Sequence, residues 1–320
     1  FILIIISFKY FLINYEILKK ILFFWRIIIL IVCFDIFFEF FLGFNVLGFQ
    51  SPMKNERIVS FFKDELIVGA FLFSFMFIVT FSLLEEKKFK SAFIFGLVIF
   101  MAILLSGERS IVIKLIFSSI IIILFIQNSI KIRLLSLVVS ALIILVLLNN
   151  DIIKQRYVDQ IKKGLNFEDQ DLKHNLLHTK YLNQSVLSYE VLKNNIFFGV
   201  GNKNYFRECI KLKNTSKDSS VKVYGYLNCY THPHQTYYEF LSEHGIFGTL
   251  LILIIFYKLL FYENKFKLPL NKKRTLLLLK IYCLVSFLPI VPTGSFFSNF
   301  QLMLFFLNYS FYQLYLHKNT

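Results

Sequence analysis

Apolar residues fall in this chain in long unbroken blocks rather than in alternation. A window of about 19 residues picks out nine blocks, at 1–14, 21–43, 66–84, 89–106, 111–127, 134–149, 237–262, 275–292 and 296–316. Each approaches the roughly 20 apolar residues that carry a helix across a bilayer. Membrane β-barrels need alternating strands of about ten residues, and unbroken blocks contradict that pattern. The prolines agree with helices: Pro52, Pro233 and Pro269 fall between blocks, and Pro289 and Pro292 at the end of one, sparing every helix interior. The pattern predicts an all-α membrane protein, a polytopic transmembrane bundle of about nine helices. One large polar loop separates helices six and seven. The organisation is 1–149 for the N-terminal helices, 150–236 for the loop and 237–320 for the C-terminal helices. The first block is already under way at Phe1, so further N-terminal helices are expected upstream.

Composition excludes the soluble alternatives. Hydrophobic residues make up 57% of the 320 and charged residues 17%, against roughly 25% charged in an average soluble domain; the mean hydropathy is +0.63. The net charge of +15 raises the question of nucleic acid. Lys and Arg flank apolar blocks, however, where anionic lipid and positive-inside anchoring require them, and no nucleic-acid partner is expected. The short loops 15–20, 85–90, 128–133, 263–274 and 317–320 hold thirteen Lys and Arg, whereas 44–65, 107–110 and 293–295 hold only Lys54, Arg57, Lys63 and Arg109. The first set is read as cytoplasmic. Arg57, Arg109 and the segment 150–236 then lie on the outer face, which in a double-membrane bacterium is the periplasmic one. Arg26 lies inside the second block and snorkels to the cytoplasmic face.

A polar segment of 87 residues exceeds what a connector needs and is the first place to seek function. Within it Thr231-His232-Pro233-His234-Gln235 leads into the seventh block. Pro233 restrains His232 to an extended shape and suits a first helical turn, which pins His234 at a helix start. There the free amides favour an anion, and an imidazole of unperturbed pKa near 6.5 can accept a proton. An interfacial His beside Tyr237 and Tyr238 in an aromatic belt is the structural alternative. His174 and His178 are four apart, with His232 and His234 as further donors, but Asn175 stands where a zinc protease motif has Glu; no metal is expected. Arg57 and Arg109 offer guanidinium groups for phosphate oxygens, although each alone is an ordinary headgroup anchor. Asp35 and Glu39, one turn apart inside a span, are read as bonded to Arg109, Lys114 or a backbone amide. Asn195 to Asn202 contains a lone Gly-x-Gly, read as a turn. Cys209 and Cys229 share a compartment where disulfides persist, and a bridge between them is left open.

His234-Gln235, nine residues, then Gly245-Ile246-Phe247-Gly248 resembles the His-[Asn/Ser/Gln]-x9-Gly-x-x-Gly pattern of the bacterial O-antigen ligase and polymerase superfamily. Arg109 to Ile113 is similar to that family's Arg-x3-Leu element, with Ile for Leu. The resemblance implies a membrane glycosyltransferase without a cofactor. Its donor is a glycan on a polyprenyl (undecaprenyl) diphosphate, and its acceptor is the lipid A core or a second lipid-linked glycan. A polymerase would add a chain-length regulator as partner. His234 becomes the catalytic base, Arg109 and Arg57 the diphosphate ligands, and His232, Gln235, Gly245 and Gly248 their support. Tyr224, Tyr226, Tyr230 and Tyr237 are available to stack on sugars. A lipid-linked sugar flippase is the competing class.

Overall fold

A computed structural model describes residues 15–53, 56–126, 130–159, 162, 180–215, 229–261, 268–289 and 291–318. The expected helix over 1–14, His174, His178, Tyr224 and Tyr226 lie outside them. Among the described residues the chain is all-helical, without strands. The helices are α1 (Tyr15–Leu42), α2 (Val68–Glu85), α3 (Phe89–Leu105), α4 (Arg109–Ile121), α5 (Ile130–Leu148), α6 (Asp151–Lys154), α7 (Lys180–Asn194), α8 (Tyr205–Thr215), α9 (Thr236–Leu260), α10 (Leu270–Val285) and α11 (Asn299–Lys318). α4 and α6 each run on into a π turn, Ile122–Ile126 and Gln155–Asp159. By length and composition α1, α2 and α9 are able to cross a membrane.

Packing groups the chain into two units. The first comprises Phe1–Gln160, Glu263–Ser286 and Met303–Thr320, the second Ile161–Tyr262 and Phe287–Leu302. In the first unit α2 is the most enclosed helix, with Leu72, Phe73, Phe77 and Ile78 buried. Its hydroxyls are satisfied without water: Thr80 donates to the Met76 carbonyl at 2.6 Å and Ser82 to that of Val79 at 2.7 Å. The Asn308 amide donates to Ser74 Oγ at 2.8 Å, the kind of polar contact that joins helices in lipid. From Ile21 onward α1 is apolar apart from Arg26, Asp35 and Glu39. It buries Leu22, Ile29, Val32 and Ile36 and leaves Phe23, Phe24, Phe34 and Phe41 exposed, which suits a helix with lipid on one side.

Arg26 does not simply snorkel. Its guanidinium donates to Ser82 Oγ at 2.8 Å and pairs with Glu86 at 2.6 Å, because the end of α2 brings a carboxylate within reach. α1 stops at Gly43, whose φ of +79° and amide bond to the Glu39 carbonyl at 2.8 Å form a left-handed cap. Beyond it, Asp35 accepts from the Val46 amide and Ser60 hydroxyl, and Glu39 from the amides of Val59 and Ser60. The acid pair thus holds the chain between α1 and α2 through backbone amides and a hydroxyl. Among the described residues neither Arg109 nor Lys114 reaches it.

In the second unit, the amphipathic helices α7 and α8 bury Leu187, Val191, Tyr205 and Cys209 against each other. Cys209 and Cys229 are joined as a disulfide with Cα atoms 5.8 Å apart. The bridge ties the segment that carries His232 and His234 to α8.

Candidate functional site

Two polar clusters stand out, one in each unit. The first is built on the tight turn between α3 and α4. Gly107 has φ +72°, and a Cβ there would lie 2.2 Å from the Glu56 carbonyl oxygen, so only glycine lets residues 56–58 approach. The Ile58 amide donates to the Ser106 carbonyl at 3.2 Å. Glu108 follows, buried, and accepts from the Gly69 amide at 2.6 Å. Its other oxygen is 3.9 Å from an Arg57 guanidinium nitrogen, which itself donates to the Leu66 carbonyl at 2.8 Å. Arg57 Nε is buried without a hydrogen-bond partner. Arg109 opens α4 and is half-buried.

A third guanidinium, which no sequence motif marks, completes this cluster. Arg156 donates from Nε to the Gly107 carbonyl at 3.0 Å and from Nη1 to Glu56 at 3.3 Å. Burial first, then the positive charges of Arg109 and Arg57, lower its pKa, so the three arginines share one field. The Tyr157 hydroxyl donates to the Leu104 carbonyl at 2.9 Å. Arg57, Arg156, Gly107 and Tyr157 line a cavity of about 290 Å3 whose other walls include Phe40, Ile58, Leu105 and Ile153. Arg109 is outside that lining. Two arginines, Arg57 and Arg156, thus face a cavity of mixed lining that also includes Glu39 and Glu56, with Arg109 close enough to share their field.

Burial pushes the Glu108 carboxyl up to about 7, against the opposing pull of Arg57 and the Gly69 amide. The folded protein therefore keeps this proton to about pH 7, whereas the unfolded chain loses it near 4.5. Stability from this position falls as pH rises between those values and levels off above, by up to about 3 kcal/mol. Glu108→Gln, which keeps an acceptor for Gly69 but cannot ionise, is expected to flatten thermal stability against pH across that window in detergent. An unchanged profile would remove Glu108 as its source.

The second cluster surrounds His234. α9 begins at Thr236, two residues later than Pro233 suggests. Gln235 is the N-cap, its side chain accepting from the Tyr238 amide at 2.8 Å, and His234 precedes it with φ +53°. A left-handed His is uncommon and costs of order 1 kcal/mol or more. The conformation is held by the Thr293 amide, which donates to the His234 carbonyl at 2.8 Å. The rings of His232 and His234 are 4.1 Å apart, with Tyr230 5.4 Å from His234. Burial, with His234 second, lowers the His232 pKa to about 4. His232 is thus neutral at neutral pH and adds no positive charge beside His234. Tyr237 does not present a free hydroxyl for sugar; it donates to the Phe287 carbonyl at 2.7 Å. Among the described residues no three His, Cys, Asp or Glu gather as a metal site.

The glycines of the motif act through backbone contact. α9 is interrupted at Gly245, φ +64° and ψ −172°, and the Gly-x-Gly turn fills the gap. The Ile246 and Phe247 amides donate to the carbonyls of Ile196 and Phe197 at 2.9 and 3.2 Å. In return the Val200 and Gly201 amides donate to Ser242 and Glu243 at 3.0 and 2.7 Å. A Cβ on Gly245 would lie 2.4 Å from the Phe197 carbonyl, one on Gly199 2.4 Å from Glu243 backbone, and one on Gly248 2.7 Å from His244 Cβ. Glu239 and Glu243, one turn apart and buried, brace the same region: Glu239 accepts from the Phe296 amide and Ser295 hydroxyl, Glu243 from the Lys203 amide. Neither carboxylate was marked by the motif, because each acts on backbone amides distant in sequence.

Apolar helices able to cross a membrane, an arginine-lined cavity and a histidine set just before such a helix define an integral membrane protein. The family model described as O-antigen ligase matches residues 92–253, half of the chain, and the chain belongs to that family. The matched stretch contains Arg109, Arg156, the Gly-x-Gly turn, His234, Gly245 and Gly248; Arg57 precedes it. No curated protein matches the chain.

Proposed function

We propose that this protein transfers a glycan from a polyprenyl diphosphate to a sugar hydroxyl at the periplasmic face of a bacterial inner membrane, as an O-antigen ligase. The observation that carries the reading is the guanidinium cluster of Arg57, Arg109 and Arg156 in a chain of this family. A polyprenyl diphosphate is an anion on an apolar tail, and Arg57 and Arg156 face a cavity whose lining also offers Phe40, Leu42, Ile58, Leu104, Leu105 and Ile153. The acceptor oxygen attacks the anomeric carbon, the bond to the diphosphate oxygen breaks, and the hydroxyl proton passes to the His234 imidazole. Attack opposite the leaving group inverts that carbon. The diphosphate is already a good leaving group, so stabilising its charge and removing the acceptor proton are the principal tasks, and no metal enters the scheme. Neutral His232 and the capping Gln235 hold His234 in place, and Gly245 and Gly248 shape the helix below it. The 150–236 segment covers the sugars, with Tyr230 beside His234.

The test is deletion of the complete gene and its restoration as wild type or Arg109→Ala, with surface polysaccharide resolved by gel electrophoresis. Deletion is expected to leave unmodified lipid A core while carrier-linked glycan accumulates, and Arg109→Ala to reproduce that pattern at normal protein level. A core bearing a single repeat without a ladder would assign polymerase instead, and an unchanged pattern would overturn the proposal.

A further inference from the structure

Ile196, Phe197 and Phe198 form the apolar tip of the Gly-x-Gly turn. Phe198 is 78% exposed and Phe197 61%, with Lys193, Asn194 and Asn195 before them and Asn202 and Lys203 after, all exposed. Two adjacent bare phenylalanines between polar shoulders are costly in water, at about 25 cal/mol for each Å2 of apolar surface. The tip is not isolated. Phe197 stacks on Phe247 at 5.7 Å and Phe198 lies 5.8 Å from the same ring. Phe247 begins an exposed apolar stripe on α9 that continues through Leu250, Leu251, Ile254 and Ile255.

We infer that the 196–198 tip is immersed in the hydrocarbon of the adjoining bilayer leaflet, its occupant being lipid acyl chains. Helix length supports the depth. The thirteen residue steps from Gly245 to Lys258, the basic residue near the other end of α9, rise only about 20 Å. The hydrocarbon is about 30 Å thick, so apolar lipid extends about 10 Å past Gly245 towards Thr236, and tilt of the helix extends it further. The turn docks at Gly245 and falls inside that layer. Irregular backbone is tolerated at such depth only where it is buried against protein, and the turn's backbone packs so closely on the break that a Cβ on Gly199 or Gly245 would lie 2.4 Å from the opposite main chain, leaving the phenylalanine rings to the lipid. Four backbone bonds join the turn to the break in α9, using groups that a continuous helix would have paired within itself. The break at Gly245 therefore accommodates a dipping turn, and anchors the polar segment on the membrane just below His234. This goes beyond the transfer reaction and stands whether or not that reading holds.

The test uses the full-length protein in phosphatidylcholine liposomes. Trp25 is the one tryptophan, packed on Phe75 and Phe311, and Trp25→Phe removes it. Phe198→Trp in that background is expected to lose most of its emission when lipids brominated in the acyl chains replace ordinary ones, and little with aqueous iodide. Tyr189→Trp, exposed on α7, is expected to respond oppositely. Phe197→Trp gives the same reading if Phe198→Trp does not fold. Quenching of the tip by iodide, with indifference to brominated lipid, would overturn the inference.

Discussion

Gly245→Ala is expected to remove most of the correctly folded protein from membranes. The added methyl would lie 2.4 Å from the Phe197 carbonyl group, and the backbone at φ +64° and ψ −172° is a region essentially reserved for glycine. Strain of about 1–3 kcal/mol and overpacking of about 1–3 kcal/mol would fall on a total stability of only about 5–15 kcal/mol. Relief by movement is expensive, because shifting the Phe197 carbonyl breaks the bonds from Ile246 and Phe247. Gly43→Ala is the control. It shares a positive φ of +79° but meets nothing within 4 Å, so only the conformational part of the loss remains, about 1–2 kcal/mol. Thermal unfolding and size-exclusion yield in detergent measure both variants. Equal behaviour of the two would show that the contact between the turn and the helix carries no weight.

His234→Asn is expected to lower glycan transfer about 100-fold to 10,000-fold, the usual contribution of a general base, at normal abundance. Asn is the better replacement than Ala because it tolerates the left-handed conformation of residue 234, and the carbonyl that accepts from Thr293 is unchanged. The loss should fall on transfer and leave donor binding intact, since the diphosphate is assigned to the arginines. Arg57→Ala or Arg156→Ala should instead weaken donor binding. A His234→Asn protein that still transfers at the wild-type rate would remove the base assignment.

The all-helical class was legible in the sequence because lipid tolerates apolar residues on every face, and among the described residues α1, α2 and α9 are long and apolar enough to cross a membrane. α7 and α8 were less visible, lying in a polar segment. Their signature was the four-residue spacing of Leu187 with Val191 and Tyr205 with Cys209, too short to register in a hydropathy window. The apolar block at 237–262 locates α9 to within a residue of its start at Thr236, but Pro233 invites a helical start at His234 that does not form. Capping by Gln235 is the stronger determinant, and it leaves His234 in the left-handed region. His234, Arg109 and the glycines were readable as motif residues, yet the role of Gly245 appears only when residues 196–201 are laid beside it. Arg156 and Glu108 gave no signal. Each is defined by partners elsewhere in the chain, the Gly107 carbonyl and Glu56 for one, the Gly69 amide and Arg57 for the other.

Under the proposed function this protein breaks the bond between glycan and carrier. Purified full-length protein in liposomes, given a polyprenyl-diphosphate-linked glycan and a sugar acceptor, tests it directly by chromatography of the acceptor and phosphate analysis of the lipid. Glycosylated acceptor is expected with one free polyprenyl diphosphate per transfer, and both products are expected to be lost with His234→Asn. Movement of the intact lipid-linked glycan between leaflets, with no free polyprenyl diphosphate, would contradict it and identify a transporter.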